Sequence, residues 1–118
     1  MTEKRSLKAI SALILWIILV TLGSLLPSEG IGVEDFINAD KIVHVCFYMV
    51  MTYLLLRFIR SHSIGVYVAS IIFCSAYGAL MEYLQGASDF GRYFDYYDII
   101  ANISGSLIGA LFYRLTNK

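Results

Sequence analysis

Four apolar runs constrain the fold of this chain more than any other feature. The runs cover residues 9–26, 42–59, 64–84 and 97–115. Each approaches the roughly 20 residues that a helix needs to cross the hydrocarbon layer of a bilayer. The chain is 58% hydrophobic and 15% charged, with a mean hydropathy of +0.70, whereas about a quarter of a soluble domain is charged. We therefore predict an all-α bundle of four transmembrane helices that forms a single domain over residues 1–118.

The first run has some features of a cleaved secretion signal, since it follows Lys4, Arg5 and Lys8. Its apolar core covers residues 9–26, which is longer than the roughly 7–15 apolar residues of such a signal. No clear A-x-A cleavage site follows it. We therefore predict a retained helix, and because its span carries no ionisable group, we expect it to act as a scaffold.

The distribution of Lys and Arg predicts the orientation in the membrane. Two of these residues, Lys41 and Arg92, fall on one side of the four runs. The others fall on the opposite side, and they are Lys4, Arg5, Lys8, Arg57, Arg60, Arg114 and Lys118. Cytoplasmic segments carry the excess of Lys and Arg. We therefore expect a multi-pass protein of the cytoplasmic (inner) cell membrane, with both termini in the cytoplasm and the loops 27–41 and 86–96 outside.

The charge balance argues against a nucleic-acid-binding protein, and the cysteines argue against a disulfide-stabilised one. The net charge is zero at pH 7, whereas a nucleic-acid-binding domain carries a strongly basic surface. Cys46 and Cys74 form neither a CxxC motif nor a disulfide framework. We therefore predict no nucleic-acid partner and two packed thiols.

Polar side chains within the apolar runs gather at the predicted outer edge of the membrane. Ionisable groups inside such segments are costly to insert and usually face the interior of a bundle. Helical spacing places them on one stripe of each of the second, third and fourth helices. Because lipid cannot solvate these stripes, we expect them to face one another around a polar pocket. The candidate ligand-binding residues are Asp40, His44, Glu82, Gln85, Arg92, Asp95, Asp98 and Asn102.

Small residues repeat every fourth position on the same stripes. Such small-xxx-small patterns let helix backbones approach closely in a membrane. We therefore predict a bundle that is tight in its cytoplasmic half and open at the outer end. The repeats are Ser70, Cys74 and Gly78 on the third helix and Ala101, Gly105 and Gly109 on the fourth.

Each polar residue also has a purely structural interpretation. Asp40 could be the N-cap of the second helix, and Asp98 could interact with the dipole of the fourth. Asn102 could cross-link two helices by a hydrogen bond, and Glu82 could form an ion pair with Arg92. Their coincidence at one depth favours a functional site.

Four separated motifs together resemble the VanZ-like family of membrane proteins over about residues 10–115. They read Asp40-Lys41-x-x-His44-x-x-x-Tyr48, Tyr77-Gly78-x-x-x-Glu82-x-x-Gln85, Arg92 with Asp95, and Asp98-x-x-Ala101-Asn102-x-x-Gly105-x-x-x-Gly109. The resemblance implies an integral protein of the cell envelope with a link to resistance against the glycopeptide antibiotic teicoplanin. It implies no particular reaction and no cofactor.

The first functional hypothesis is binding. A polar pocket bordered by aromatic residues at the outer leaflet suits a lipid-linked or amphiphilic envelope molecule. Arg92 and Lys41 would hold its phosphate or carboxylate, while Tyr93, Phe94 and Tyr96 would contact its apolar part. The expected partner is a membrane lipid or a lipid-linked envelope precursor.

The alternatives are a membrane enzyme and a helper subunit. As an enzyme, the chain would use His44 as general acid or base, with Glu82 or Asp98 as the paired carboxylate. No nucleophile elbow, HExxH motif or P-loop gives a reaction signature. Asp40 could join these three residues around a divalent ion, but the spacing matches no known ligand motif, so we predict no metal. As a helper subunit or small transporter, the chain would form a complex, for example a homo-oligomer.

Overall fold

Four helices make up nearly all of the part of the chain that the structure describes. The computed structural model describes residues 3–25, 33–87 and 96–117. Its helices are α1 (Glu3–Leu25), α2 (Val33–Ile59), α3 (Ile64–Ala87) and α4 (Tyr96–Thr116). Each contains a stretch that is long and apolar enough to cross a membrane, and the described ranges contain no strand. The predicted all-helical fold with four transmembrane helices is confirmed.

The start of α2 differs from the prediction. The helix begins at Val33 rather than at residue 42, because residues 33–41 contain no glycine or proline that would stop it. Asp40 therefore lies inside α2, and its interpretation as the N-cap is wrong.

The interface between α2 and α4 depends on two glycines of α4. A Cβ atom on Gly105 would overlap the carbonyl oxygen of Val45, and one on Gly109 would overlap the carbonyl oxygen of Met49. Only residues without a side chain allow the two backbones to approach this closely. The small-residue pattern of α4 therefore marks a tight helix contact, as predicted.

The helix α1 packs against α2 and α3. The indole Nε1 of Trp16 donates a hydrogen bond to the carbonyl oxygen of Phe47 over 2.8 Å. Val20 is fully buried in a core cluster with Tyr48, Met51 and Cys74. These contacts fit the predicted role of α1 as a scaffold.

A groove separates α1 from α4. No Cα atom of α1 lies within 8 Å of α4 in the described residues. The groove contains a cavity of about 410 Å³ at the end that carries Arg57 and Arg60. The predicted tight packing therefore holds where α4 contacts α2 at Gly105 and Gly109, but not beside α1, where Ala9 and Ala12 line the cavity.

Candidate functional site

Five polar side chains from three helices meet at one end of the bundle. Lys41 and His44 come from α2, Glu82 from α3, and Asp98 and Asn102 from α4. We call them the polar cluster. His44, Glu82, Asp98 and Asn102 are all at most 3% exposed. The helical spacing predicted this inward orientation, since lipid cannot satisfy charged or amide groups.

The two ring nitrogens of His44 face different partners. Nδ1 lies 2.7 Å from Asn102 Oδ1, and because an amide oxygen only accepts, Nδ1 is the donor in this bond. Nε2 lies 3.8 Å from Asp98 Oδ2. The bond to Asn102 thus fixes the ring orientation and leaves Nε2 facing the carboxylate, where it can hold or release a proton.

The side chains of Lys41 and Asp98 form an ion pair between α2 and α4. The Lys41 ammonium lies 3.3 Å from Asp98 Oδ1 and 5.9 Å from the centroid of the Tyr97 ring. The Asp98 side chain is 4% exposed, whereas that of Lys41 is 32% exposed. Lys41 therefore connects the buried part of the polar cluster to the surface.

A second carboxylate lies close to this ion pair. Glu82 is fully buried, and ligand atoms of His44, Glu82 and Asp98 lie within 4.8 Å of one another. Two neighbouring carboxylates in a buried site require compensation by positive charge or by a shared proton. Lys41 and His44 are the groups in the polar cluster that can supply it.

The same three residues have the chemistry of a divalent-cation site. An imidazole and two carboxylates are ordinary ligands for such an ion. However, the Lys41 ammonium already lies 3.3 Å from Asp98 and would repel a metal bound to that carboxylate. The polar cluster is therefore better suited to an ion pair than to a metal.

Gly78 and Tyr48 support the polar cluster from two sides. A Cβ atom on Gly78 would lie 3.0 Å from Cβ and from Cγ of Asn102, so α3 leaves room for that side chain. The ring of Tyr48 stacks on His44, with centroids 6.4 Å apart and an interplanar angle of 10°. Among the described residues, Asn102 Nδ2 and the Tyr48 hydroxyl have no hydrogen-bond partner.

Not every predicted site residue can be placed. Arg92 and Asp95 lie outside the described residues, so the ion pair of Glu82 with Arg92 stays a prediction. Asp40 and Gln85 lie in α2 and α3, but their side chains also lie outside the described set. Lys41 was predicted, with Arg92, to hold the phosphate or carboxylate of a ligand, but its ion pair with Asp98 was not predicted.

Exposed tyrosines surround this end of the bundle. Tyr83 is 64% exposed, Tyr96 74% and Tyr97 69%. Tyrosine is enriched where a membrane protein meets the boundary between hydrocarbon and water. The polar cluster thus lies near one interface of the membrane rather than at its midplane.

Comparison with known proteins agrees with the motifs. The model of the family described as VanZ/LLP1 matches residues 4–117, nearly the whole chain. No curated protein and no solved structure matches the chain significantly.

Proposed function

Because the chain belongs to the VanZ/LLP1 family, whose name suggests a membrane protein linked to glycopeptide resistance, we propose that it binds a lipid-linked or amphiphilic envelope molecule beside the polar cluster. One observation carries the proposal. Charged and amide side chains from three helices converge within a bundle that exposes many large apolar side chains. Groups that are this costly to insert into a membrane are usually functional.

The exposure of Lys41 indicates the chemistry of the ligand. Its side chain is 32% exposed while its partner Asp98 is buried, so Asp98 orients the ammonium without covering it. An ammonium in this position can contact a phosphate or carboxylate at the membrane surface. By sequence, Arg92 adds a second cation nearby.

The exposed tyrosines supply the other half of an amphiphile site. Tyr83, Tyr96 and Tyr97 present large rings beside the polar cluster. Such rings contact the apolar or sugar part of a ligand while their hydroxyls stay hydrated. The excess of Lys and Arg at the opposite end of the bundle supports a location of this site at the outer leaflet of the cytoplasmic membrane.

A titration with a labelled lipid phosphate tests the proposal. The protein in lipid nanodiscs is titrated with a fluorescent polyprenyl phosphate, and in a separate arm with teicoplanin. For Lys41→Gln we expect about tenfold weaker binding of the lipid phosphate, as the loss of one charged contact implies. The control is Arg114→Gln, which removes a cation in the last turn of α4, at the other end of the bundle. Wild-type binding by a folded Lys41→Gln variant would contradict the proposal.

The geometry around His44 favours a second candidate, acid–base catalysis on an envelope lipid. Its Nδ1 is held by Asn102 at 2.7 Å and its Nε2 faces Asp98 at 3.8 Å, an arrangement that suits proton transfer by an oriented imidazole. Proteoliposomes with labelled envelope lipids are analysed for products by mass spectrometry. An enzyme would lose turnover in His44→Gln and keep it in the control His62→Gln, whereas a binding protein would give no product in any variant.

A further inference from the structure

A second polar site lies at the other end of the bundle. The cavity of about 410 Å³ between α1 and α4 is lined by Lys8 from α1, by Arg57 from α2, and by Arg60, which directly follows α2. The helix axis carries Arg57 about 24 Å from Lys41, so this basic cavity is separate from the polar cluster. Its volume is within the range of about 300–1,000 Å³ that is usual for small-molecule sites.

The charge of the basic cavity is one-sided. Three cations line it, and none of its described lining residues is a carboxylate. Arg60 also adopts a φ of 61° at the end of α2, a conformation in which glycine is the usual residue. The chain thus has a cation where a glycine would be less strained. The arrangement concentrates positive potential where an anion can enter.

The lining changes from basic to apolar with depth. Leu54 lies one to two turns before Arg57 and Arg60 along α2, and Ala12 lies one turn beyond Lys8 along α1, so both are nearer the membrane centre. A free inorganic anion would use only the basic rim. A phospholipid would place its phosphate among the cations and its glycerol and first methylenes against the alanines and Leu54.

We propose that the basic cavity binds the headgroup of an anionic phospholipid from the leaflet at this end of the bundle. The positive-inside distribution makes this the cytoplasmic leaflet, whose anionic lipids bind basic pockets between transmembrane helices. In the described part of the chain α1 and α4 do not pack against each other, which suits lateral entry of the lipid from the bilayer. The inference is independent of any ligand at the polar cluster.

Native mass spectrometry of the delipidated full chain tests the proposal. The protein is titrated with phosphatidylglycerol, with zwitterionic phosphatidylcholine, and with inorganic phosphate. We expect tighter binding of phosphatidylglycerol, and about 30-fold weaker binding of it by the double variant Arg57→Gln/Arg60→Gln, as two lost contacts with a lipid phosphate imply. The control is Arg114→Gln, a cation in the last turn of α4 that does not line this cavity.

A variant that blocks the cavity distinguishes lipid binding inside it from diffuse attraction by the Lys and Arg residues that orient the protein in the membrane. Ala12→Phe fills the cavity from an exposed position and keeps all three cations, so it should fold and still lose phosphatidylglycerol. Wild-type binding by Ala12→Phe, or an equal loss in Arg114→Gln, would show diffuse attraction and overturn the proposal. Displacement of the lipid by an equal concentration of inorganic phosphate would overturn it as well, because the ligand would then be the free anion.

Discussion

A methyl group on Gly78 would lie 3.0 Å from Cβ and from Cγ of Asn102, so the bare backbone of α3 gives Asn102 its place. Asn102 Oδ1 in turn accepts the hydrogen bond from His44 Nδ1 over 2.7 Å. Gly78 of α3 therefore influences the hydrogen bond between His44 of α2 and Asn102 of α4. A shift of α3 against α4 would move Asn102 and change the orientation of the His44 ring.

Gly78→Ala should destabilise the bundle by about 1–3 kcal/mol, because overpacking of a tight contact costs this much. Alanine is intrinsically better in a helix by about 1 kcal/mol, so the clash must exceed that gain. The matched control is Gly65→Ala in the same helix, where the new Cβ would lie 3.6 Å from Ser63 Oγ, an ordinary contact. Unfolding in detergent measures both, and equal stability of the two variants would contradict the proposed role of Gly78.

Gly109→Ala should move α4 away from α2. The added Cβ would overlap the Met49 carbonyl, which is backbone and cannot rotate aside. We expect a loss of about 1–3 kcal/mol and a longer distance between spin labels on the two helices. In Gly23→Ala, the new Cβ would meet the end of the Phe47 ring at 3.0 Å, which can turn away, so we expect a smaller loss. The same loss in both variants would show that backbone contact is not decisive.

The helices and their buried stripes could be predicted because both follow from one repeating period. His44 and Tyr48 lie one turn apart and are both buried, as are Asp98 and Asn102. Lipid surrounds the bundle, so a polar stripe has one low-energy orientation, toward the other helices. The sequence therefore predicted which side chains point inward.

Other features could not be predicted from a periodic pattern. The helix α2 extends back to Val33, since residues beyond the hydrocarbon layer can stay helical without being apolar. The separation of α1 from α4 depends on how all four helices are arranged in the bundle. The polar and small-residue stripes of single helices do not determine that arrangement. The pairing of Lys41 with Asp98 joins residues 57 positions apart, and only the folded geometry shows that pairing.

The hydrogen bond between His44 and Asn102 should appear as a coupling energy. A double-mutant cycle with His44→Ala and Asn102→Ala should give about 1 kcal/mol, near the upper part of the range for membrane proteins. The control cycle pairs Asn102→Ala with His62→Ala at the other end of the bundle, and it should be additive to within about 0.5 kcal/mol. Additivity in the first cycle would show that the bond contributes nothing to stability.

The orientation should be visible by labelling single cysteines in intact cells. On a background of Cys46→Ser and Cys74→Ala, a cysteine at residue 63, between α2 and α3, should be protected from a membrane-impermeant maleimide until the cells are permeabilised. A cysteine at residue 28, in the loop predicted outside, should react at once. The reverse pattern would place the polar cluster on the cytoplasmic side and move the basic cavity outside.

The two halves of the ion pair between α2 and α4 should differ in their effect on stability. Lys41→Gln leaves the carboxylate of Asp98 buried at 4% exposure without its ammonium, and it should cost about 1–3 kcal/mol. Asp98→Asn should cost less, because Lys41 is 32% exposed and can turn toward water. The double variant should recover part of the loss of Lys41→Gln, since it also removes the buried negative charge that the Lys41 ammonium compensates. Reversible unfolding of the three variants measures this, and a double variant less stable than Lys41→Gln alone would show that Asp98 is stabilised by other groups.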